Sequence, residues 1–333
     1  MTGPVVDAAK GPAMAQAPGE LSLRIADMGA EARDVLRLEL VDPRGGDLPV
    51  FEPGAHLDVH LPNGLVRQYS LANDARERHR YVIGVGRAAP GRGGSACVHT
   101  ELRPGMALRC GAPVNHFPLV PDAPRYLFIA GGIGITPILS MVRWCEAAGR
   151  PWRLVYAARN RSRLAFYEDL APFGGKVQWH CDDEAGGPLP AARLVAGAGA
   201  GTHIYCCGPA PLMEAVRDAP GAVPAAARHF EWFAAPQRSE PDAAAGGFWV
   251  ELRRSQQRFH VPPERSILEV LEANGLSIPF SCREGLCGTC ETAVCEGEPE
   301  HRDYVYPESE RPGLRRLLVC VSRSRTPGLV LDL

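Results

Sequence analysis

The sequence predicts a multidomain fold: an antiparallel β-barrel, then an α/β domain with a parallel sheet, then a small C-terminal domain organised by cysteines. Residues 20–118 contain short alternating strand patterns separated by turn residues, and from about residue 124 the pattern changes to strand–helix repetition. Near the C-terminus, cysteines are concentrated in one glycine-containing loop. The length of 333 residues also favours more than one hydrophobic core.

The composition excludes several function classes. A hydrophobic content of 45% with 22% charged residues is typical of soluble globular proteins, and no apolar run approaches 18 residues, so we expect no membrane segment. The net charge of −2 gives no electrostatic basis for binding nucleic acid. The eleven cysteines lack the spacing of a disulfide framework, which favours the cytoplasm. Residues 1–19 predict a disordered tail rather than a secretory signal.

The barrel is predicted over residues 20–120, from the strand patterns LSLRIADM, VLRLELVD, HLDVHLP and RYVIGVG. At the end of a further barrel strand lies RQYSLAN, which offers three candidate binding side chains. Arg67 could contact a phosphate, Tyr69 could cover an aromatic ring, and Ser70 could hydrogen-bond a ring nitrogen. Strand alternation predicts Arg67 and Tyr69 on one side and Ser70 on the other. Simple surface decoration is the alternative.

A glycine-rich loop, GRGGS at residues 91–95, precedes a predicted short helix. Free backbone N–H groups, the Arg92 guanidinium and the Ser95 hydroxyl suit a phosphate monoester. A flexible hairpin loop is the alternative interpretation.

The α/β domain is predicted over residues 121–233. The strands YLFIAGG, WRLVYAAR, KVQWHCDD and HIYCCG alternate with the helices ITPILSMVRWCEAAG, AFYEDLAPF and PLMEAVRDA, which predicts a parallel sheet with a ligand crevice at its C-terminal edge. GGIGITP at residues 131–137 follows the first of these strands and opens a helix. Glycine backbone and a helix N-terminus suit a pyrophosphate, although a tight turn without a ligand is the alternative.

The cysteine domain is predicted over residues 247–333, after a linker at 234–246. Its ligand candidates have the spacing C-x4-C-x2-C, with a fourth cysteine after 29 further residues: Cys282, Cys287, Cys290 and Cys320. This spacing is typical of a plant-type [2Fe–2S] cluster. A structural zinc site is the alternative, but such sites favour two short knuckles. FWVELRRS and QRFHVPP predict a hairpin, and SILEVLEANG predicts a helix.

Taken in order, RQYSLAN, GRGGS, GGIGITPILSM, YCCGP and the cysteine set resemble the phthalate dioxygenase reductase family, within the ferredoxin–NADP reductase superfamily. The resemblance covers roughly residues 20–333. It implies a barrel that binds FMN, an α/β domain that binds NADH, and a β-grasp plant-type ferredoxin domain. It also implies that hydride passes from NADH to FMN, and single electrons pass through the [2Fe–2S] cluster to a terminal Rieske-type oxygenase that oxygenates aromatic rings or removes O-methyl groups. A monomer is the family expectation.

The resemblance also implies roles for individual residues. The FMN phosphate is held by Arg67 and Ser95, with three neighbours beside them: Arg92, Gly93 and Gly94. Tyr69 packs on the isoalloxazine, and Ser70 lies near N5, which accepts the hydride. The NADH pyrophosphate is supported by Gly131, Gly132, Gly134 and Thr136. The nicotinamide C4 lies by Cys207, which is followed by Gly208 and Pro209. Phe233 covers the flavin. Trp232 is a departure, since the family often has a small residue there.

Some cysteines and histidines are expected to have structural roles only, and charged residues in the α/β domain bear on the choice between NADH and NADPH. Buried packing is expected for Cys206 and Cys295, and structural roles for the histidines His99, His116 and His203. A basic cluster after the second strand of the α/β domain could accept a 2′-phosphate, and consists of Arg159, Arg161 and Arg163. Asp182 and Asp183, after the third strand, would repel one. We predict a preference for NADH over NADPH.

Two other function classes remain open. One is a flavin and iron–sulfur reductase that serves another acceptor, such as oxygen, nitric oxide or a di-iron hydroxylase. The other is an electron carrier that does not oxidise NADH. The attached cluster domain favours the oxygenase reductase, because direct transfer to oxygen would not need it. For the oxygenase, we expect docking at the rim of the cluster loop, formed by Arg283, Glu284 and Leu286.

Overall fold

The computed structural model describes residues 19–88, 91–233, 246–280, 282–306 and 310–333. The predicted tail and linker lie outside these ranges, except for their last residues, Gly19 and Gly246. Three main sheets follow one another along the chain, and each contributes to its own apolar core. The predicted multidomain fold class is therefore confirmed, while the domain boundaries stay predictions.

The first sheet is an antiparallel barrel. Its strands are β1 (Glu20–Ala32), β2 (Val35–Val41), β3 (His56–His60), β4 (Val66–Ser70), β5 (Tyr81–Gly86) and β6 (Ala107–Gly111). They lie in the order β4-β3-β6-β1-β2-β5, with every pair antiparallel. An antiparallel bridge between Leu71, directly after β4, and Ile83 of β5 joins the two edge strands. The bridge closes the barrel, so these edges are not left unpaired.

Helix α1 (Gly94–Glu101) follows β5, as the glycine-rich loop predicted. Gly93 precedes it with φ +81°, a left-handed conformation that favours glycine. The first residue of the helix, Gly94, lies against the side chain of Arg67 on β4.

The second sheet is parallel throughout. Its strands are β7 (Arg125–Gly131), β8 (Trp152–Ala158), β9 (Val177–Cys181), β10 (Thr202–Cys207) and β11 (Arg228–Glu231), in the order β11-β10-β7-β8-β9. The helices are α2 (Ile135–Ala147), α3 (Tyr167–Leu170), α4 (Asp182–Ala185), α5 (Ala191–Ala196) and α6 (Ala210–Arg217). The helix predicted in AFYEDLAPF is only one turn of α3, continued by a 3₁₀ helix at Ala171–Lys176.

The strand order places a switch point between β7 and β10. The chain proceeds outward from β7 to β9 and then returns to form β10 on the other side of β7. Open α/β sheets bind ligands at such a point, outside the C-terminal ends of the two strands. Helix α2 packs beside it because apolar residues recur at helical spacing and are fully buried: Ile135, Ile138, Leu139 and Val142.

The third domain is a mixed sheet covered by one helix, which is the predicted β-grasp arrangement. Its strands are β12 (Phe248–Leu252), β13 (Arg258–Val261), β14 (Glu291–Glu296), β15 (Pro299–Glu300), β16 (Arg316–Leu318), β17 (Arg323–Ser324) and β18 (Gly328–Leu331). The main sheet has the order β13-β12-β18-β14-β16, with β12 and β18 parallel. β12 and β13 form the predicted hairpin.

Helix α7 (Ile267–Ala273) covers this sheet and precedes the cysteine loop. A reciprocal capping box between Ser266 and Glu269 fixes its first turn. Across the described ranges, no helix is both long and apolar enough to cross a membrane.

Candidate functional site

The three domains meet around a cavity of about 490 Å³. It brings together eight of the predicted cofactor residues: Arg67, Tyr69, Ser70, Arg92, Gly94, Ser95, Thr136 and Phe233. Cys282, one of the predicted cluster ligands, lines the same cavity. Sequence motifs separated by more than 200 residues therefore share one site.

One end of the cavity suits a phosphate. Arg67 lies over the N-terminus of α1, so closely that a Cβ added at Gly94 would come within 2.6 Å of the Arg67 Nε. The Arg67 Nη2 donates to the carbonyl of Arg92 at 3.2 Å, which holds the guanidinium there. The Ser95 Oγ accepts from the Ala88 amide at 3.1 Å, so the hydroxyl proton is left for another acceptor. A cation, a hydroxyl and a helix N-terminus together fit the FMN phosphate.

The other end of the cavity suits a planar ring. All five residues of β4, from Val66 to Ser70, line the cavity, although alternation placed Ser70 on the side opposite Arg67 and Tyr69. Because β4 lies at the end of the strand order, residues from both of its faces border the cavity. Burial raises the pKa of the Tyr69 phenol, so this side chain stays neutral.

Glu231 is a site residue that the sequence analysis missed. It ends β11, and the Ser70 hydroxyl donates to its Oε2 at 3.4 Å across the boundary between the first two domains. Burial raises the pKa of this carboxyl to about 8, so it is protonated at neutral pH. The feature that could have identified Glu231 is its position at the C-terminal edge of a parallel sheet, where ligands bind in such folds.

The predicted pyrophosphate loop packs directly against the end of β10. A Cβ at Gly134 would lie 2.3 Å from the carbonyl oxygen of Cys207, and one at Gly131 would lie 2.6 Å from the Pro209 Cδ. A Cβ at Gly208 would in turn lie 3.0 Å from the Gly131 Cα. Only glycine fits these positions, so the sequence keeps bare backbone at the switch point.

Gly132 and Thr136 complete this loop. Gly132 has φ +53° and opens a 3₁₀ turn, Gly132–Gly134, that leads into α2. The Thr136 hydroxyl donates to the Ile133 carbonyl at 3.0 Å. An added Cβ at Gly132 would meet no atom within 4 Å, so this glycine loop has room for a diphosphate and the residues present fit one.

Cys207 is completely buried and does not line the cavity. Its thiol lies in the core that contains α2, whereas Cys206 points into the core on the other face of the sheet. Burial raises the pKa of the Cys207 thiol well above its usual value, with Glu231 contributing, so the thiol stays protonated. Cys206 packs inward as expected, and the position of Cys207 beside a nicotinamide stays a prediction.

The four predicted ligand cysteines converge in the third domain. The thiol of Cys282 contacts those of Cys287 and Cys320, and the thiol of Cys290 also contacts that of Cys320. Backbone amides of Glu284 and Leu286 point at the Cys282 sulfur, at 3.3 and 3.4 Å. Amides aimed at a sulfur stabilise its thiolate, as an iron–sulfur site requires.

The spacing of the sulfurs favours a binuclear cluster over zinc. Within the described residues, no three of the four cysteine sulfurs lie mutually within 4.8 Å. A tetrahedral zinc with Zn–S of about 2.3 Å would hold all four roughly 3.8 Å apart. The four thiols, each in contact with at least one other, therefore converge without forming the compact tetrahedron of a zinc site.

His116 joins the flavin cavity to the cluster loop. A Cβ at Gly288, which has φ +72°, would lie 2.9 Å from the His116 Cε1. The His116 ring also lies 5.4 Å from that of His56, and both line the cavity. Burial lowers the pKa of His116 and lowers that of His56 to about 3, so both rings are neutral at pH 7.

The structural role predicted for His116 is therefore incomplete. His99 and His203 fit the prediction better: His99 lies 2.9 Å from the Val85 carbonyl, and His203 lies 3.0 Å from the ring of His229.

The cluster loop has an inner and an outer side. Glu284 and Leu286, expected on the docking rim, line the flavin cavity instead. Arg283 lies on the outer side, where it forms a bidentate ion pair with Glu272 at 2.9 and 2.7 Å and stacks 4.0 Å over the Phe280 ring. The backbone at Arg283 is left-handed, with φ +60°. Arg283 therefore lies on the outer side of the loop, while the next residue, Glu284, lies on the inner side.

Two further expectations concern Trp232 and Cys295. The Trp232 ring lies 5.6 Å from that of Tyr304, so this large residue packs the second domain against the third. Cys295 lies on a strand, β14, as predicted, but it is only half-buried, beside the Arg253 side chain and at a register irregularity between Val294 and Glu296.

The chain is similar to known proteins over almost its whole length. Residues 250–325 match the family model of the 2Fe-2S iron-sulfur cluster binding domain. The chain is 46% identical to phenoxybenzoate dioxygenase subunit beta of Ectopseudomonas oleovorans, over 94% of this chain and 97% of that protein. It is 42% identical to phthalate dioxygenase reductase of Burkholderia cepacia, over 96% of this chain and 99% of that protein.

Solved structures give the same result. A phthalate dioxygenase reductase, described as a modular structure for electron transfer from pyridine nucleotides to [2Fe-2S], matches with a TM-score of 0.70 at 42% identity, over 95% of this chain and 98% of that one. An intact type IV self-sufficient cytochrome P450 monooxygenase matches with a TM-score of 0.88 at 35% identity. That match covers 98% of this chain and 43% of the P450 chain.

Proposed function

The chain belongs to the phthalate dioxygenase reductase family, and from this membership we propose that it is the NADH-dependent reductase component of an oxygenase system. It is an oxidoreductase with FMN and a [2Fe–2S] cluster, and it transfers electrons from a pyridine nucleotide to an oxygenase. The observation that carries this function is the cavity between the three domains. Residues suited to a flavin and the predicted cluster ligand Cys282 line it together, which supports a flavin and a cluster in adjacent positions.

Positioning is the main task of the protein. A bound flavin accepts the two electrons of a hydride and releases them singly, which matches NADH to a one-electron cluster. In our proposal Arg67, Ser95 and the N-terminus of α1 hold the FMN phosphate, and Tyr69 packs on the ring. Ser70 orients the edge that receives hydride. Fixing the reactants in this way removes much of the entropic cost of reaction.

Glu231 keeps the hydride-accepting end of the cavity free of negative charge. Its carboxyl is protonated at pH 7 because burial raises its pKa to about 8. An ionised carboxylate next to Ser70 would oppose the negative charge that a hydride brings. The neutral acid also provides a proton donor beside Ser70, which lies 3.4 Å away.

The NADH pyrophosphate binds, in our proposal, at the glycine-rich loop that leads into α2, beside Gly131, Gly132, Gly134 and Thr136. The nicotinamide end lies toward Cys207, Gly208 and Pro209, at the end of β10. Phe233 is 41% exposed at the cavity edge. An exposed ring there can move aside for the nicotinamide while shielding the flavin from water at other times.

The partner in our proposal is a terminal Rieske-type oxygenase, and the protein acts as a cytoplasmic monomer. Relatives named phthalate dioxygenase reductase and vanillate O-demethylase oxidoreductase support the oxygenase partner. The docking surface is the outer side of the cluster loop, formed by Phe280, Arg283 and Glu272. The solvent exposure of this outer side supports the docking proposal, because the inner side of the loop faces the cavity between the domains.

A haem monooxygenase is the second candidate partner. The match to part of a self-sufficient cytochrome P450 chain favours it. The same electron relay serves either acceptor, so the two candidates differ only in the protein that docks at the outer side of the loop.

The test of the proposed function is an anaerobic NADH titration of the purified holoprotein, followed by its visible spectrum. We expect flavin and iron–sulfur bands to bleach together, with two electrons on the flavin and one on the cluster. The variant Cys290→Ser should lose iron and the iron–sulfur band while its flavin is still reduced. Cys295→Ser is the matched control, in the same domain but outside the ligand set. A colourless wild-type protein that binds zinc would contradict the proposal.

A further inference from the structure

Arg92 reaches across the junction between the barrel and the cluster domain. Its Nη1 and Nη2 contact the two carboxylate oxygens of Glu284, each at 2.8 Å. The Nη1 also donates to the backbone carbonyl of Cys282 at 3.2 Å. Because Cys282 is a predicted cluster ligand that lines the cavity, the Arg92 side chain connects the predicted phosphate loop to the loop that carries the ligand cysteines.

Arg67 provides a cation over the predicted phosphate site. Its Nε lies beside Gly94 at the start of α1, and its Nη2 is fixed by the Arg92 carbonyl. The Arg92 backbone therefore belongs to the predicted phosphate loop, whereas its guanidinium contacts the cluster domain. A contact of the Arg92 side chain with the phosphate stays a prediction.

A second contact between the same domains lacks directional bonds. Gly288 packs on the ring of His116, which burial keeps neutral. Such a contact limits how closely the cysteine loop approaches the barrel, but it does not fix the orientation of the loop relative to the barrel. The two parallel hydrogen bonds of an arginine–carboxylate pair do fix orientation.

We propose that Arg92 is a positioning residue, which with Glu284 orients the cluster loop so that Cys282 faces the flavin cavity. This inference rests on the proposed function. It concerns one step of it, the transfer of one electron from the reduced flavin to the oxidised cluster. The Arg92 side chain is 55% exposed and that of Glu284 29%, so salt weakens the pair.

The experiment compares Arg92→Gln, Glu284→Gln, Arg92→Glu, Glu284→Arg and the double swap Arg92→Glu/Glu284→Arg. Anaerobic stopped-flow absorbance resolves flavin reduction by NADH from cluster reduction. Amide hydrogen exchange of residues 282–288 in the oxidised protein reports loop docking without turnover. FMN affinity, measured by fluorescence, reports the phosphate site. Arg254→Gln is the control, because it breaks a similar ion pair, with Asp332 at 2.9 Å, elsewhere in the cluster domain.

Neutral variants should slow cluster reduction, relative to flavin reduction, by about two- to fivefold. Single charge reversals should slow it by roughly tenfold or more. The double swap should restore most of the rate and the exchange protection, and rising salt should slow wild type but not the neutral variants. These effects should come without a matching loss of FMN from the Glu284 variants.

Two outcomes would overturn the inference. One is that Arg92 variants lose FMN while Glu284 variants behave as wild type, which would make Arg92 a phosphate ligand. The other is that no variant changes cluster reduction or exchange. The proposed function would survive both, since it depends on whether wild type reduces its flavin and cluster with NADH at all.

Discussion

Arg161 and Glu184 form a bidentate ion pair beyond the C-terminal edge of the parallel sheet, with Nε–Oε1 at 2.6 Å and Nη2–Oε2 at 3.1 Å. Arg163 is likewise paired, with Asp34 of the barrel at 2.7 Å. Two of the three arginines that could have accepted a 2′-phosphate therefore already have carboxylate partners. This pairing supports the predicted preference for NADH.

Removing the carboxylate at Glu184 should make NADPH a better substrate. We expect Glu184→Gln to free Arg161 and raise kcat/KM for NADPH by up to about fivefold, with little change for NADH. Inhibition by 2′-AMP relative to 5′-AMP should strengthen in parallel. Asp218→Asn, which breaks an ion pair with Arg217 on the same domain, should alter neither ratio. If Glu184→Gln behaved like this control, Arg161 would lie outside the nucleotide site.

Flavin reduction should depend on the ionisation of Glu231. Its pKa is raised to about 8, so the neutral form dominates below pH 8 and the carboxylate appears above it. The rate of flavin reduction by saturating NADH should therefore fall as pH rises through about 8. Glu231→Gln, which cannot ionise, should show a flat profile from pH 6 to about 9 in the same stopped-flow measurement. A decline of equal size in the variant would assign the titration to another group.

The glycine at position 134 should be irreplaceable. A Cβ there would lie 2.3 Å from the Cys207 carbonyl oxygen, so Gly134→Ala must separate the two loops. We expect a loss of about 1–3 kcal/mol or more in the free energy of unfolding, with weaker NADH binding. Gly175→Ala, which meets no atom within 4 Å, should leave both unchanged. Urea unfolding and NADH titration measure the two effects.

The outer side of the cluster loop should control transfer to the partner but not internal reduction. Phe280→Ala removes a 38% exposed ring beneath Arg283 and should slow reduction of the oxygenase by about tenfold, as loss of an aromatic anchor does. NADH should still reduce the cluster at the normal rate. Trp249→Ala is the matched control, since Trp249 is 41% exposed and stacks under Arg258 elsewhere on the domain. Equal effects of both variants would argue against a specific surface.

Local sequence patterns predicted the elements well, because each depends on nearby residues. Strand alternation identified the barrel, βαβ repetition identified the parallel sheet, and cysteine spacing identified four thiols that converge in the third domain. The helix around Tyr167 was predicted too long, since the chain there forms one α turn and then a 3₁₀ helix.

Contacts between domains were beyond the sequence. His116 and Gly288 are 172 positions apart, and nothing local to either indicates the other. Glutamates usually lie on the protein surface, so the sequence alone places Glu284 in solvent. The packing of the domains instead places Glu284 at the cavity. Glu231 was missed because a single acid at a strand end becomes unusual only once burial raises its pKa.

In our proposal the flavin occupies a cavity that residues from all three domains line. Part of its binding energy is then available only when the domains are assembled around it. Thermodynamic linkage then requires that whatever loosens the assembly also weakens flavin affinity, and that flavin in turn stabilises the assembled chain by mass action. In our proposal the flavin that carries electrons between the domains therefore also stabilises their assembly.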